Sequence, residues 1–88
     1  MDEKRREQLS RLLSLMLRHK PERFYLDMDL HGYASKEDVL EGVRQKFDDA
    51  TEAEILDIVE GPEKRRFELT EGRIRARYGH SFAIDLGL

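Results

Sequence analysis

Three clusters of arginine, lysine and histidine stand out in the sequence: Arg18-His19-Lys20-Pro21, Lys64-Arg65-Arg66-Phe67, and Arg73-Ile74-Arg75-Ala76-Arg77-Tyr78-Gly79-His80-Ser81. A guanidinium presents a planar fork of donors that matches phosphate oxygens, and an imidazole can donate to the same anion. The chemistry these residue types offer is anion recognition. The 88-residue chain is nevertheless acidic, with a net charge of −3. Residues 1–60 hold ten Lys/Arg against fifteen Asp/Glu, whereas residues 61–88 hold six against four. Cations gathered at a few places in an acidic chain point to a local anionic partner.

Each cluster also has an ordinary explanation. Arg18, His19 and Lys20 fall in the last turn of a helix, where cations suit the negative end of the helix dipole. Arginines on a strand can form a solvated face, their stems covering apolar surface. His31 sits in a turn, as a structural or exposed residue. His80 is a candidate phosphate or sugar contact, or part of a solvated loop. The three histidines lack the close spacing of a metal site, and no metal is expected. There is no glycine-rich dinucleotide turn, P-loop or nucleophile elbow. With no cysteine, neither a disulfide nor a thiolate zinc site is available, which fits a reducing compartment.

The elements that must position these residues follow from periodicity. Leu9, Leu12, Leu13, Met16 and Leu17 form one stripe of an amphipathic helix over Leu9–Leu17, ended by Pro21. Phe24, Tyr25 and Leu26 suggest a brief strand, and Asp29-Leu30-His31-Gly32 a turn. Ser35 followed by Asp38 has the form of a capping box, opening a helix that buries Val39, Leu40, Val43 and Phe47. Thr51 followed by Glu54 opens a third, burying Ile55, Ile58 and Val59 and stopping at Gly61-Pro62. The period then becomes alternating: Phe67 and Leu69 share one face, as do Ile74, Ala76 and Tyr78, with Arg73, Arg75 and Arg77 opposite.

If Glu71-Gly72 is a two-residue hairpin loop, Thr70 faces Arg73, Leu69 faces Ile74, Glu68 faces Arg75, Phe67 faces Ala76 and Arg66 faces Arg77. Glu68 and Arg75 attract. Arg66 and Arg77 repel unless an anion sits between them. The expected fold is α+β, a single winged-helix domain over residues 1–88 with three helices followed by a β-hairpin wing. In such folds the third helix commonly enters the DNA major groove. Here Thr51–Glu60 carries Glu52, Glu54, Asp57 and Glu60 and no cation, so flanking phosphates would repel it. No apolar run approaches the roughly 20 residues of a membrane span, and the charged N-terminus does not read as a signal peptide. A soluble, cytoplasmic domain is expected.

Taken together, Leu9–Pro21, Asp29-Leu30-His31-Gly32-Tyr33, Lys64-Arg65-Arg66-Phe67-Glu68-Leu69 and Ile74-Arg75-Ala76-Arg77-Tyr78-Gly79-His80-Ser81 resemble the RNA 2′-phosphotransferase (KptA) family. The blocks occur in the family's order and approximate spacing over almost the whole chain. The resemblance implies removal of an internal RNA 2′-phosphate, such as one left by tRNA splicing. In that reaction the phosphate attacks the ribose C1″ of NAD⁺ and expels nicotinamide. Transesterification by O2″ then releases 2′-OH RNA and ADP-ribose 1″,2″-cyclic phosphate. It further implies an N-terminal winged-helix lobe facing RNA and a C-terminal ADP-ribosyltransferase-like lobe holding NAD⁺.

Carried onto this sequence, the resemblance gives Arg18, His19 and Arg66 the catalytic roles, gripping the 2′-phosphate and stabilising the transesterification transition state. Lys20, Lys64, Arg65, Arg73, Arg75, Arg77, His80 and Ser81 are the expected RNA contacts. Tyr78 stands where the family usually has Gln, which puts that amide's hydrogen bond in question. Family members continue past Leu88, so the expectation is an RNA-binding lobe lacking the NAD⁺-binding segment and a fourth arginine. That lobe is expected to be a monomer, inactive alone, whose partner is RNA bearing an internal 2′-phosphate. The alternative is a winged-helix regulator that binds nucleic acid or protein without chemistry.

Overall fold

The structure is a computed structural model, and it describes residues 2–61 and 66–81. Helix α1 (Glu3–Ser14) begins at Asp2, whose carboxylate accepts the Arg5 amide at 2.7 Å. The apolar stripe runs on into a π-helical turn, Leu15–His19, closed by the Lys20 amide donating to the Leu15 carbonyl at 2.8 Å. Such i→i−5 turns are rare and recur at functional sites.

Pro21 then starts a 3₁₀ turn, Pro21–Phe24, because its fixed φ suits the first position of a helical turn. The strand expected at Phe24–Leu26 does not form. The Tyr25 and Leu26 amides donate to the Glu22 and Pro21 carbonyls, so the donors a strand would need are used locally. Tyr25 adopts φ 57 and stands 83 % exposed between buried Phe24 and Leu26. The turn at Asp29–Gly32 forms as read, with the Asp29 carboxylate accepting the His31 and Tyr33 amides.

Strand β1 (Ala34–Ser35) leads directly into α2 (Lys36–Arg44), capped by Ser35 Oγ on the Asp38 amide at 3.1 Å. Helix α3 (Glu52–Glu60) opens with both halves of the Thr51–Glu54 capping box. Strands β2 (Phe67–Thr70) and β3 (Arg73–Ala76) pair antiparallel in the expected register, Phe67 opposite Ala76 through Thr70 opposite Arg73. The hairpin residues Glu71 and Gly72 both have positive φ, 52 and 77, the signature of a type I′ turn. The described residues thus form an α+β fold of three α-helices and a three-stranded antiparallel sheet in the order β1-β3-β2.

One face of this sheet, with Phe67, Ile74 and Ala76, joins Leu9, Leu13, Met16, Leu17, Val39, Val43, Ile55, Ile58 and Val59 in a single core. The acidic surface of α3 is held by the protein's own cations. Arg5 pairs with Glu54 at 2.7 Å and Asp49 at 3.0 Å, Lys36 with Glu52 at 2.9 Å, and Arg6 with Asp57. The Arg5 hydrogen bond, against partial burial, holds the Glu54 carboxyl below its usual range. No helix among the described residues is long and apolar enough to cross a membrane.

Candidate functional site

Arg18 lies in the π-helical turn, and its guanidinium is flanked by two aromatic rings. Its Cζ is 4.7 Å from the Tyr78 ring centre and 5.9 Å from that of Phe67. Gly79, at φ 81, closes a third side. A Cβ there would come 3.4 Å from Arg18 Cδ and 3.5 Å from Nε, and positive φ is where glycine sits without penalty. The backbone is fastened as well: the Ser81 amide donates to the Arg18 carbonyl at 2.8 Å and Ser81 Oγ donates at 3.3 Å. A helix-end carbonyl that would lack a partner is thereby satisfied, and the 79–81 segment is pinned beside Arg18.

Within this frame Arg18 Nε and Nη2 are buried and have no hydrogen-bond partner among the described residues. A buried, charged donor without an acceptor is expensive. The arrangement becomes favourable when an anion supplies the oxygens.

The Arg77 amide donates to the Arg66 carbonyl at 2.9 Å, extending the β2–β3 pairing by one pair. Arg66 and Arg77 therefore stand opposite each other at the sheet end that holds Phe67 and Tyr78. Both are exposed, and neither side chain forms an ion pair among the described residues. His80 bonds the Ala76 backbone. Burial first, and then the charges of Arg18, Arg75 and His19, hold its pKa below the ordinary imidazole value. His80 is thus biased towards its neutral form by burial and, second, by cations that would attract an anion. His19 is exposed beside Arg18, and its effect on His80 places it in the same electrostatic neighbourhood.

Two strand arginines are differently employed. Arg75 pairs with Glu68 at 2.7 Å, donates to the His31 carbonyl at 3.2 Å and lies 4.6 Å over the Tyr33 ring, with its side chain only 14 % exposed. Arg73, at the hairpin end of β3, pairs with Asp29 at 3.0 Å. Lys20 is exposed just past the π-helical turn. Lys64 and Arg65 lie outside the described residues. Among the described residues no group of His, Cys, Asp and Glu could hold a metal ion.

Sequence reasoning missed the frame around Arg18. Phe67 was read as core, and it is, at 1 % exposed, yet its ring also serves Arg18. Alternation puts Tyr78 with Ile74 and Ala76 on the apolar face. It is instead 53 % exposed, because β3 ends at Ala76. The available signal was Gly79, which marks where alternation stops.

The chain matches the model of the RNA 2′-phosphotransferase, Tpt1/KptA family over residues 4–87. Proteins named "Probable RNA 2′-phosphotransferase" are similar to it. That of Pyrococcus abyssi is 43% identical over 81 residues, covering 92% of this chain and 44% of its own length. That of Pyrobaculum aerophilum is 41% identical over 86 residues, covering 98% of this chain and 40% of its own. That of Methanosarcina barkeri is 38% identical over 86 residues, covering 98% and 42%. The chain therefore spans less than half the length of these relatives. By the extent of the family match, the chain belongs to the RNA 2′-phosphotransferase, Tpt1/KptA family.

Proposed function

We propose that this chain is the substrate-binding lobe of an RNA 2′-phosphotransferase, and that Arg18, with His19, Arg66 and His80, receives the internal 2′-phosphate of an RNA left by tRNA splicing. The observation that carries this reading is the pair of buried Arg18 donors with no partner among the described residues. A dianionic phosphate placed there satisfies both and neutralises a cluster otherwise made of like charges. Ser81, bonded to the Arg18 carbonyl, and Lys20 and Arg77, chain neighbours of His19 and Tyr78, suit the flanking backbone. In this reading the three helices and the β2–β3 hairpin act as a winged helix that uses its wing and first helix, and not α3, towards nucleic acid. The carboxylates of α3 already pair with Arg5, Arg6 and Lys36, which leaves that helix no cation to offer a groove.

NAD⁺ is the co-substrate the family resemblance implies. The donors gathered here suit one phosphate group, and the sequence offers no dinucleotide-binding turn, so NAD⁺ is assigned to protein outside residues 1–88. What this chain contributes is binding, orientation and charge neutralisation at the phosphate oxygens. The lobe is taken as a cytoplasmic monomer.

The test is titration of an isotope-labelled sample with a short RNA bearing one internal 2′-phosphate, beside the same RNA without it. Shifts specific to the phosphorylated RNA should cluster at residues 18–20, 66 and 77–81. Shifts centred on residues 51–60 would instead indicate a groove-reading winged helix and refute the assignment. Given NAD⁺ and this RNA, residues 1–88 alone should release no nicotinamide.

A further inference from the structure

Tyr78 is one of three large apolar side chains that are exposed among the described residues. Unlike Tyr25 and Leu30, it lies directly on the anion-binding group. One face of its ring covers the Arg18 guanidinium at 4.7 Å. The residue as a whole remains 53 % exposed, so that contact with Arg18 leaves much of it open to solvent. The Phe67 ring, itself buried in the core, lies 5.9 Å from the same guanidinium.

An anion held by Nε and Nη2 lies at the edge of the guanidinium, in its plane. A planar group attached to that anion and lying parallel to the guanidinium would meet the outer face of Tyr78. In RNA the planar group within one nucleotide of a 2′-phosphate is a base, and exposed aromatic faces beside cations are how proteins hold unpaired bases. Gly79, with φ 81, turns the chain immediately after Tyr78. The turn places His80 and Ser81 against Arg18 and leaves the ring projecting at the margin of the site.

We propose that the outer face of Tyr78 is a stacking platform for an unpaired nucleobase next to the bound phosphate, so that the site reads a phosphate and a base together. This rests on the assignment of Arg18 to an RNA phosphate. It implies a substrate that is single-stranded or splayed at the phosphorylated nucleotide, since a base paired in a helix cannot reach the ring. Tyr78 also orients Arg18, and its two roles are separable by experiment.

The experiment uses three short single-stranded RNAs: one with an internal 2′-phosphate, one with the same phosphate on an abasic nucleotide, and one unmodified. Affinities are measured for the wild-type chain, Tyr78→Phe and Tyr78→Leu. A 2-aminopurine at the phosphorylated position reports stacking through quenching. For the wild type, removing the base should lower affinity at least about fivefold and binding should quench 2-aminopurine. Tyr78→Phe should behave as wild type. Tyr78→Leu should lose the quenching and no longer distinguish the abasic RNA from the intact one. Equal wild-type affinity for abasic and intact phosphorylated RNA, with both preferred over unmodified RNA, overturns the platform and leaves the phosphate assignment standing. So does a Tyr78→Leu loss that is as large for abasic as for intact RNA, since Tyr78 would then act only through Arg18. No preference for phosphorylated over unmodified RNA overturns the phosphate assignment and the platform with it.

Discussion

Replacing Arg18 by methionine separates what the residue does for the fold from what it does for a ligand. Methionine keeps most of the side-chain volume and fits irregular space between rings, while the charge and the donors disappear. Two buried donors, Nε and Nη2, lack partners among the described residues, and each unsatisfied group costs about 1–3 kcal/mol. The contacts with Tyr78 and Phe67 return about 0.5–2 kcal/mol each, of which sulfur–aromatic contact replaces a part. On balance Arg18→Met should stabilise the ligand-free domain by about 1 kcal/mol, or raise its melting temperature by about 4–8 °C at this size.

Binding should move the other way. Charge-assisted hydrogen bonds contribute about 1.5–3 kcal/mol each, so the preference for 2′-phosphorylated over plain RNA should fall at least about tenfold. Thermal melts with and without the phosphorylated RNA, together with paired affinities, give both numbers. The wild type should gain melting temperature with that RNA, and Arg18→Met should gain little. A variant that melts several degrees lower and keeps its preference for the phosphate would show that Arg18 is a structural cation, and the reasoning would fail.

Other perturbations give equally definite outcomes. Arg75→Ala removes the pair with Glu68, the bond to the His31 carbonyl and the Tyr33 stack, and should lower stability by about 1–2 kcal/mol in a thermal melt. Arg77→Ala, exposed and without an ion pair among the described residues, should leave the melt nearly unchanged. It should weaken both RNAs alike and reduce the salt slope by about one. Because the folded-state pKa of His80 is depressed, its contribution to stability is full above the ordinary imidazole pKa of about 6.5 and declines as pH falls through the folded value. His80→Asn should flatten that part of a stability-versus-pH curve. A nearby phosphate raises the same pKa, so RNA binding should take up a proton, visible as a buffer-dependent heat in calorimetry. Glu71 holds φ 52 in a two-residue turn with Gly72. Glu71→Asn supplies the residue that type I′ turns favour and should raise the melting temperature by a few degrees.

Those features of the fold that rest on local chemistry were legible in the sequence. Both capping signatures start helices where read, and the two-residue hairpin sets the register of β2 and β3 residue for residue. Strand β1 was not legible: two residues cannot show a period, and they are a strand only because β3 lies beside them. Phe24–Leu26 carried the composition of a strand, but Pro21 had already committed the chain to a helical turn. Tyr78 extended an alternating pattern past the point where pairing continues. At the site, residue types announced an anion. The burial of the Arg18 donors did not, because it arises from contact with Phe67, Tyr78 and Gly79, far along the chain.

On the proposed reading, Arg73 and Arg75 of β3 and Arg77 just past its end place the anion at one end of the sheet. They rise along the strand at about 3.3 Å per residue, so Arg73 and Arg77 are about 13 Å apart. At the hairpin end Arg73 is neutralised by Asp29, and midway Arg75 is neutralised by Glu68. At the far end Arg77 faces Arg66 with no carboxylate paired to either among the described residues. Tyr78, next to Arg77 in the chain, lies over Arg18, whose charge acts with that of His19 on His80. A uniformly basic strand would bind a backbone anywhere along its length. Pairing two of the three arginines internally leaves Arg77 as the one of the three without an ion pair among the described residues. In the proposed reading, charge distribution and unsatisfied hydrogen bonding, two independent properties, both favour the sheet end that carries Phe67 and Tyr78 for the phosphate.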